Sequence, residues 1–233
     1  MAFSDILAKY KTLPQWQLDA LDIVGRELVE RNRVMNLTAI TDERGVALMH
    51  FYDSIIPLST GYFTPGARVL DLGCGGGFPS LPLAVCAPQC GIVSNDATLK
   101  KLAFVRETAA AAGCRNLDIL PGRAEELSLL KQYRDSFDTV ISRGVARLNV
   151  LCEWALPFVK VGGHFIAMKG ERGSAEAAEA ENAIKLLGGG NTRVTEYEIP
   201  DYGYIHTLVV IEKLSPTPQE YPRANGKIMK KPL

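Results

Sequence analysis

The sequence predicts an α/β protein: a doubly wound, mostly parallel sheet with a C-terminal antiparallel hairpin and an N-terminal helical extension. Three observations carry that prediction. A short apolar strand over 69–72 runs straight into a glycine cluster, Gly73-Cys-Gly-Gly-Gly77. Beyond it, strand-type and helix-type segments alternate as far as residue 187. Two further strand-type segments, 192–199 and 207–212, are joined by a polar loop too short for a crossover helix, so they must pair antiparallel.

Each element has its own signal. Leu18, Leu21, Val24 and Leu28 recur at helical spacing, giving a helix over roughly the first thirty residues, broken near Pro14. A polar-apolar connector over 31–40 follows. A second helix over 43–56 is expected to stop at Pro57, and the turn Pro65-Gly66 marks the entry to the main domain. Strands are expected over 91–95, 117–120, 137–142 and 164–168. Helices are expected over 80–87, 99–112 (closed by Gly113), 148–159 and 174–187. Gly188-Gly-Gly-Asn191 reads as a stop. The expected division is 1–64 for the extension, 65–214 for the main domain and 215–233 for a basic tail.

Composition narrows the class. The 233 residues suffice for one sizeable core. Lys and Arg number 26, as do Asp and Glu, so any nucleic-acid surface must be local. No run is apolar enough to span a bilayer and no signal peptide is evident, so a cytoplasmic protein is expected. The 5 cysteines have neither zinc nor CxxC spacing, which predicts free thiols and no metal site. A monomer is expected.

The chemistry gathers at the strand ends, where an open parallel sheet places its ligand. In the loop, Gly73 and Gly75 leave the backbone free to turn and to offer its N–H groups to a cofactor. Asp71 stands just before the first glycine, and the spacing is not that of a dinucleotide loop. Together these point to S-adenosyl-L-methionine. Asp96, about twenty residues after Gly75, fits a carboxylate that accepts hydrogen bonds from ribose hydroxyls, though it also fits a helix N-cap. Arg143 ends the fourth strand; from the residues alone it could serve a ligand or pair with Asp96 or Asp138. Lys169, at the end of the fifth, could grip phosphate or simply be solvated.

The layout over 65–213 resembles class I methyltransferases. More specifically, Asn36-Leu-Thr-Ala-Ile40, His50 with Asp53-Ser54, Val69 through Pro79, Ile141-Ser-Arg143, Met168-Lys-Gly170 and Tyr221-Pro-Arg…Gly226-Lys…Lys231-Pro-Leu233 occur in that order. This set resembles the bacterial 16S rRNA guanine-N7 methyltransferases, from about Gln15 to the last residue. The resemblance implies methylation of guanine N7 in the 530 loop (position 527) of 16S rRNA, on the RNA or the 30S particle. It implies donor contacts at Gly73, Phe78, Ala124, Glu125 and Arg143, with Asp96 at the family's acidic position after the second strand. Ala124 and Glu125 would meet the adenine, although Gly122-Arg-Ala-Glu-Glu126 equally reads as an acidic first helical turn. The chain departs from the usual family pattern at Cys74 and Gly76, and at Asn95-Asp-Ala-Thr98.

Guanine N7 carries a lone pair and no proton, so its methylation requires no general base before attack. The enzyme must mainly position its reactants. The resemblance makes His50 and Asn36 candidates beside Arg143 at the reacting base; by residue type alone they are a structural histidine and a cap. Lys100, Lys169, Arg223, Lys230 and Lys231 are the candidate RNA contacts. A small-molecule or protein methyltransferase would share the loop and Asp96 without needing the basic tail. A nicotinamide-dependent oxidoreductase fits less well, because of Asp71 and the loop spacing.

Overall fold

The computed structural model describes residues 2–233. Seven strands form one sheet: β1 (Arg68–Leu72), β2 (Gly91–Asp96), β3 (Leu117–Pro121), β4 (Phe137–Arg143), β5 (Val159–Lys169), β6 (Gly189–Ile199) and β7 (Tyr204–Lys213). Their order is β3-β2-β1-β4-β5-β7-β6. The first five run parallel, and β7 is antiparallel to both β5 and β6. The order reverses between β1 and β4, which places the ligand crevice beyond the C-terminal ends of those two strands.

Both faces of the parallel strands are covered, which is why β1 is buried continuously over 69–72 rather than at alternate residues. Leu70, Phe137, Val140 and Phe165 face the helices Leu148–Ala155, Gly173–Glu179 and Glu181–Leu186. On the other face, Ser80–Cys86 and Leu99–Ala111 pack with the N-terminal helices Phe3–Leu7 and Gln15–Met35. Leu21, Val24 and Leu28 are fully buried there, each worth roughly 1.5–3 kcal/mol of transfer free energy. The extension therefore shares a core with the loop helix.

Several elements differ from the sequence expectation. The helical segment over 43–60 begins where the Asp42 carboxylate accepts the Gly45 N–H at 2.8 Å. It passes through a π-helical stretch, Val46–Tyr52, and does not stop at Pro57. Pro57 lies in the first turn of a 3-10 helix, Ile56–Thr60, where a missing N–H costs nothing. The chain leaves that helix at Gly61 (φ 81°). The helix expected over 148–159 ends at Ala155, because Pro157 turns the next three residues into a 3-10 turn, and β5 starts at Val159. The helix expected over 174–187 is divided at Ala180.

The Gly188 stop is only partly a stop. Gly188 turns the chain at φ 84°, but Gly189 and Gly190 join β6, in front of a bulge. A Cβ on Gly189 would come 2.8 Å from Ile211 Cγ2 on β7, so that glycine permits close packing within the sheet rather than ending structure. The C-terminal segment is also ordered: it folds into a short helix, Asn225–Lys230.

Among the described residues no helix is long and apolar enough to cross a membrane. No group of His, Cys, Asp and Glu among them could hold a metal ion.

Candidate active site

The glycine loop is wired to the end of β2. The N–H groups of Gly73 and Cys74 both donate to the Asn95 carbonyl, at 2.9 and 2.8 Å. Gly73 and Gly75 adopt φ 77° and 55°, which a side chain would resist, and a Cβ on Gly75 would project into open space. That open space is the cradle a ligand needs against bare backbone. Asp96 is not the helix N-cap, which is Thr98, and its carboxylate instead binds backbone on both sides of the crevice edge. One carboxylate oxygen accepts the Gly75 N–H at 3.1 Å and the other accepts the Thr98 N–H at 2.8 Å. It thus braces the loop and the turn that leads into the helix Leu99–Ala111, and it lines the crevice. Asn95 donates to the Leu120 and Gly122 carbonyls and fixes the β3 turn.

Asp71 is fully buried beneath the loop. One oxygen accepts the Ser80 N–H at 2.9 Å, and the other has no partner. Burial pushes its carboxyl up to about 7. Cys74 is buried as well, and burial pushes its thiol up, which removes it as a nucleophile.

Three cavities line up along the strand ends and share walls. The first, about 200 Å³, holds Gly73, Asp96, Gly122, Ala124 and Glu125. The second, about 320 Å³, adds the glycine loop, Phe78, Lys101, His50 and Arg143, and shares Gly73, Asp96 and Val145 with the first. The third, about 270 Å³, shares His50, Arg143 and Gly144 with the second and reaches Asp53, Lys169 and His206.

Arg143 does not pair with Asp96 or Asp138. Its guanidinium donates to Asp53 at 2.8 Å and to the Met49 carbonyl at 2.9 Å, and it lies 3.2 Å from His50 Nδ1. Asp138 instead receives the Arg68 N–H and the Lys160 ammonium. Asp53 also accepts the Tyr197 hydroxyl at 2.7 Å and meets His206 Nδ1 at 2.8 Å. Burial alone would raise its carboxyl, but His206 and the Arg143 charge outweigh burial and hold it below the usual range.

His50 is buried and stacks on Phe78, and its Nε2 meets the Thr38 hydroxyl at 2.9 Å. Burial, reinforced by the Arg143 charge, pushes the imidazole down to about 3, so it is neutral at ordinary pH.

Other candidates are placed differently from the expectation. Asn36 is the left-handed cap of the helix Gln15–Met35 (φ 50°), and its exposed side chain stands outside the cavity walled by Leu37 and Thr38. Asn32 holds that wall, accepting the Leu37 and Thr38 N–H groups. Lys169 is no free phosphate grip: it donates to the Ala146 carbonyl at 2.7 Å and pairs with Glu176 at 2.8 Å. Arg223 is likewise committed, clasping the fully buried Glu153 through its Nε, Nη2 and backbone N–H. Lys100, Lys230 and Lys231 remain exposed.

Two cavity residues escape a sequence reading: Trp154 and Asn225 line the first cavity. Neither lies at a strand end or in a glycine loop, so no local signal marks them. The Asp53–Tyr197–His206 cluster is equally hidden, because it joins the helical extension to the hairpin.

Comparison with known proteins agrees with this geometry. In solved structures, the chain is similar to a SAM-dependent O-methyltransferase from Thermotoga maritima, with a TM-score of 0.56 and 14% identity over 82% of this chain and 72% of that one. It is also similar to TrmN from Thermus thermophilus, with a TM-score of 0.52 and 22% identity over 72% of this chain and 53% of that one. Those likenesses establish the Rossmann-like methyltransferase fold. By sequence, it is 42% identical over 232 residues to a ribosomal RNA small subunit methyltransferase G from Brevibacillus brevis, covering 99% of this chain and 98% of that protein. Its namesake from Lactobacillus johnsonii is 41% identical, with the same coverage. The family described as rRNA small subunit methyltransferase G matches residues 17–202. A methyltransferase fold, an open glycine cradle braced by Asp96, and full-length relatives thus agree: the chain belongs to the rRNA small subunit methyltransferase G family, with S-adenosyl-L-methionine as methyl donor.

Proposed function

We propose that this protein methylates N7 of a guanine in the 530 loop (position 527) of 16S rRNA. One observation carries the reading. The cavity over the glycine loop and the cavity at the hairpin end share His50, Arg143 and Gly144, so a donor in one can meet a base in the other.

When bound, S-adenosyl-L-methionine supplies an electrophilic methyl group on sulfonium. Gly73 and Gly75 would hold it through bare backbone and Asp96 at the ribose. Ala124 and Glu125 would lie at the adenine, and Phe78 and Arg143 at the remaining end of the loop. At the acceptor end, the protein's task is to orient a planar base, since N7 attacks with its own lone pair. The charges there suit a ring that becomes cationic. His50 stays neutral, and Asp53 offsets the charge of Arg143. Thr38 and Phe78 fix the His50 ring, so it presents a flat face rather than a mobile cation. A target base in an RNA loop must be unstacked to enter.

Exposed Lys100, with Lys230 and Lys231 on the C-terminal segment, would contact RNA phosphates. In this reading the substrate is 16S rRNA or a 30S particle, and the protein acts as a monomer in the cytoplasm.

The test is to incubate the protein with methyl-labelled donor and 16S rRNA or 30S subunits from a strain lacking the enzyme, then map the label. Label on N7 of that single guanine is expected. Label on another base, or transfer only to a protein or small molecule, overturns the assignment.

A further inference from the structure

Three sets of residues wall the second cavity. Gly73, Asp96 and Val145 also face the first cavity, and His50, Arg143 and Gly144 also face the third. The remaining side is closed by the rest of the glycine loop through Phe78, by Leu37 and Thr38, and by Lys101.

A sulfonium sulfur holds three substituents. In S-adenosyl-L-methionine they are the adenosyl group, the methyl group and a chain that ends in an amino-acid carboxylate. With the nucleoside in the first cavity and the methyl group toward the third, the amino-acid chain is left with the remaining side. The inference rests on that placement of the nucleoside and the methyl group.

The charges on the cavity wall then select one partner for the carboxylate. Arg143 is held by Asp53 and the Met49 carbonyl. Lys101 is the one charged basic side chain of this cavity, among the described residues, that has no protein partner. It is half-buried, and it is close enough to the loop that, while burial pushes the Cys74 thiol up, the Lys101 charge opposes the rise. Local folding does not call for a cation there. Lys101 stands in the first turn of the helix Leu99–Ala111 beside Lys100, with no acidic residue in that turn, at the end of the helix where the dipole disfavours positive charge. An anion in the cavity would remove that conflict, and a carboxylate accepts strong hydrogen bonds from an ammonium.

We propose that Lys101 binds the carboxylate at the amino-acid end of the donor, in an ion pair that forms only when the donor is bound. Arg143 then keeps its own partners at the boundary with the acceptor cavity, and the donor is held at the end opposite its nucleoside.

The test is calorimetric binding of S-adenosylhomocysteine and of its decarboxylated form, which keeps the amine and lacks only the carboxylate. The wild-type protein should prefer S-adenosylhomocysteine by at least about tenfold. Lys101→Met, which keeps an unbranched side chain and removes its charge, should lose most of that preference while binding the decarboxylated ligand as wild type does. Lys101→Arg should keep most of it. An unchanged preference in a folded Lys101→Met protein overturns the inference, and so does an equal loss for both ligands. A wild-type protein that binds neither ligand overturns the donor placement itself.

Lys101 also lines an outer groove of about 410 Å³ with Arg31 and Lys100, so an RNA phosphate is the competing occupant. Filter binding of 16S rRNA by Lys101→Met separates the two. Unchanged RNA affinity is expected, whereas weaker RNA binding with an intact ligand preference assigns Lys101 to the RNA and overturns the inference.

Discussion

Arg143 and Asp53, 90 residues apart in sequence, meet at 2.8 Å between the end of β4 and the helical extension. Asp53 is almost wholly buried and takes further hydrogen bonds from the hairpin. One carboxylate thus ties the helical extension, the parallel sheet and the antiparallel hairpin to a single point beside the site. Asp53→Ala leaves the Arg143 charge half-buried and unpaired and should destabilise the protein by about 3–5 kcal/mol. Urea denaturation at neutral pH measures this, and a loss under 1 kcal/mol contradicts it. Arg143→Lys keeps the charge but loses the fork, and kcat/KM for methyl transfer should fall at least about tenfold.

His50 predicts a pH slope. Its folded-state value lies near 3, against about 6.5 in the unfolded chain. Between these values the unfolded state binds a proton that the native state refuses, so stability falls as the pH drops. Wild type should therefore lose about 2 kcal/mol more than His50→Gln between pH 6.5 and pH 5. Parallel stability curves for the two proteins would rule this out.

Asp71 gives the opposite slope. Its carboxyl is pushed up to about 7 by burial, so the native state holds a proton that the unfolded state releases. The resulting penalty grows as the pH rises from about 4 to 7 and is complete above 7. In the ligand-free protein Asp71→Asn should therefore melt higher than wild type at pH 8, with the advantage gone near pH 4. Equal melting temperatures at pH 8 would show that the group ionises without strain.

The C-terminal lysines predict a salt effect. Charge reversal at Lys230 and Lys231 should weaken RNA binding and flatten its salt dependence, because fewer counterions are released, while donor binding stays intact. Filter binding at several salt concentrations measures this. Unchanged RNA affinity across the series excludes these residues from the RNA surface.

The glycine loop and the strand ends were legible because their signals are local. Backbone freedom at Gly73 and Gly75 follows from residue type, and the alternation of apolar segments dictates a doubly wound sheet. Punctuation was less reliable: Pro57 and Gly189 looked like stops, but Pro57 lies where its missing N–H is tolerated and Gly189 lies within β6, packed close to Ile211. Side-chain partnerships were not legible, since Lys169 and Arg223 carry the same charge whether they face phosphate or a buried glutamate.

By itself, then, the sequence determined the fold class, the glycine loop after β1 and the family to which the chain belongs. Only the tertiary structure decided who neutralises Arg143, that His50 is held neutral against Phe78, and that Trp154 and Asn225 wall the first cavity. The physical reason is range. Backbone conformation and apolar periodicity are set by neighbours a few residues away. Burial, charge pairing and unpaired polar atoms are set by segments that meet only after the chain has folded.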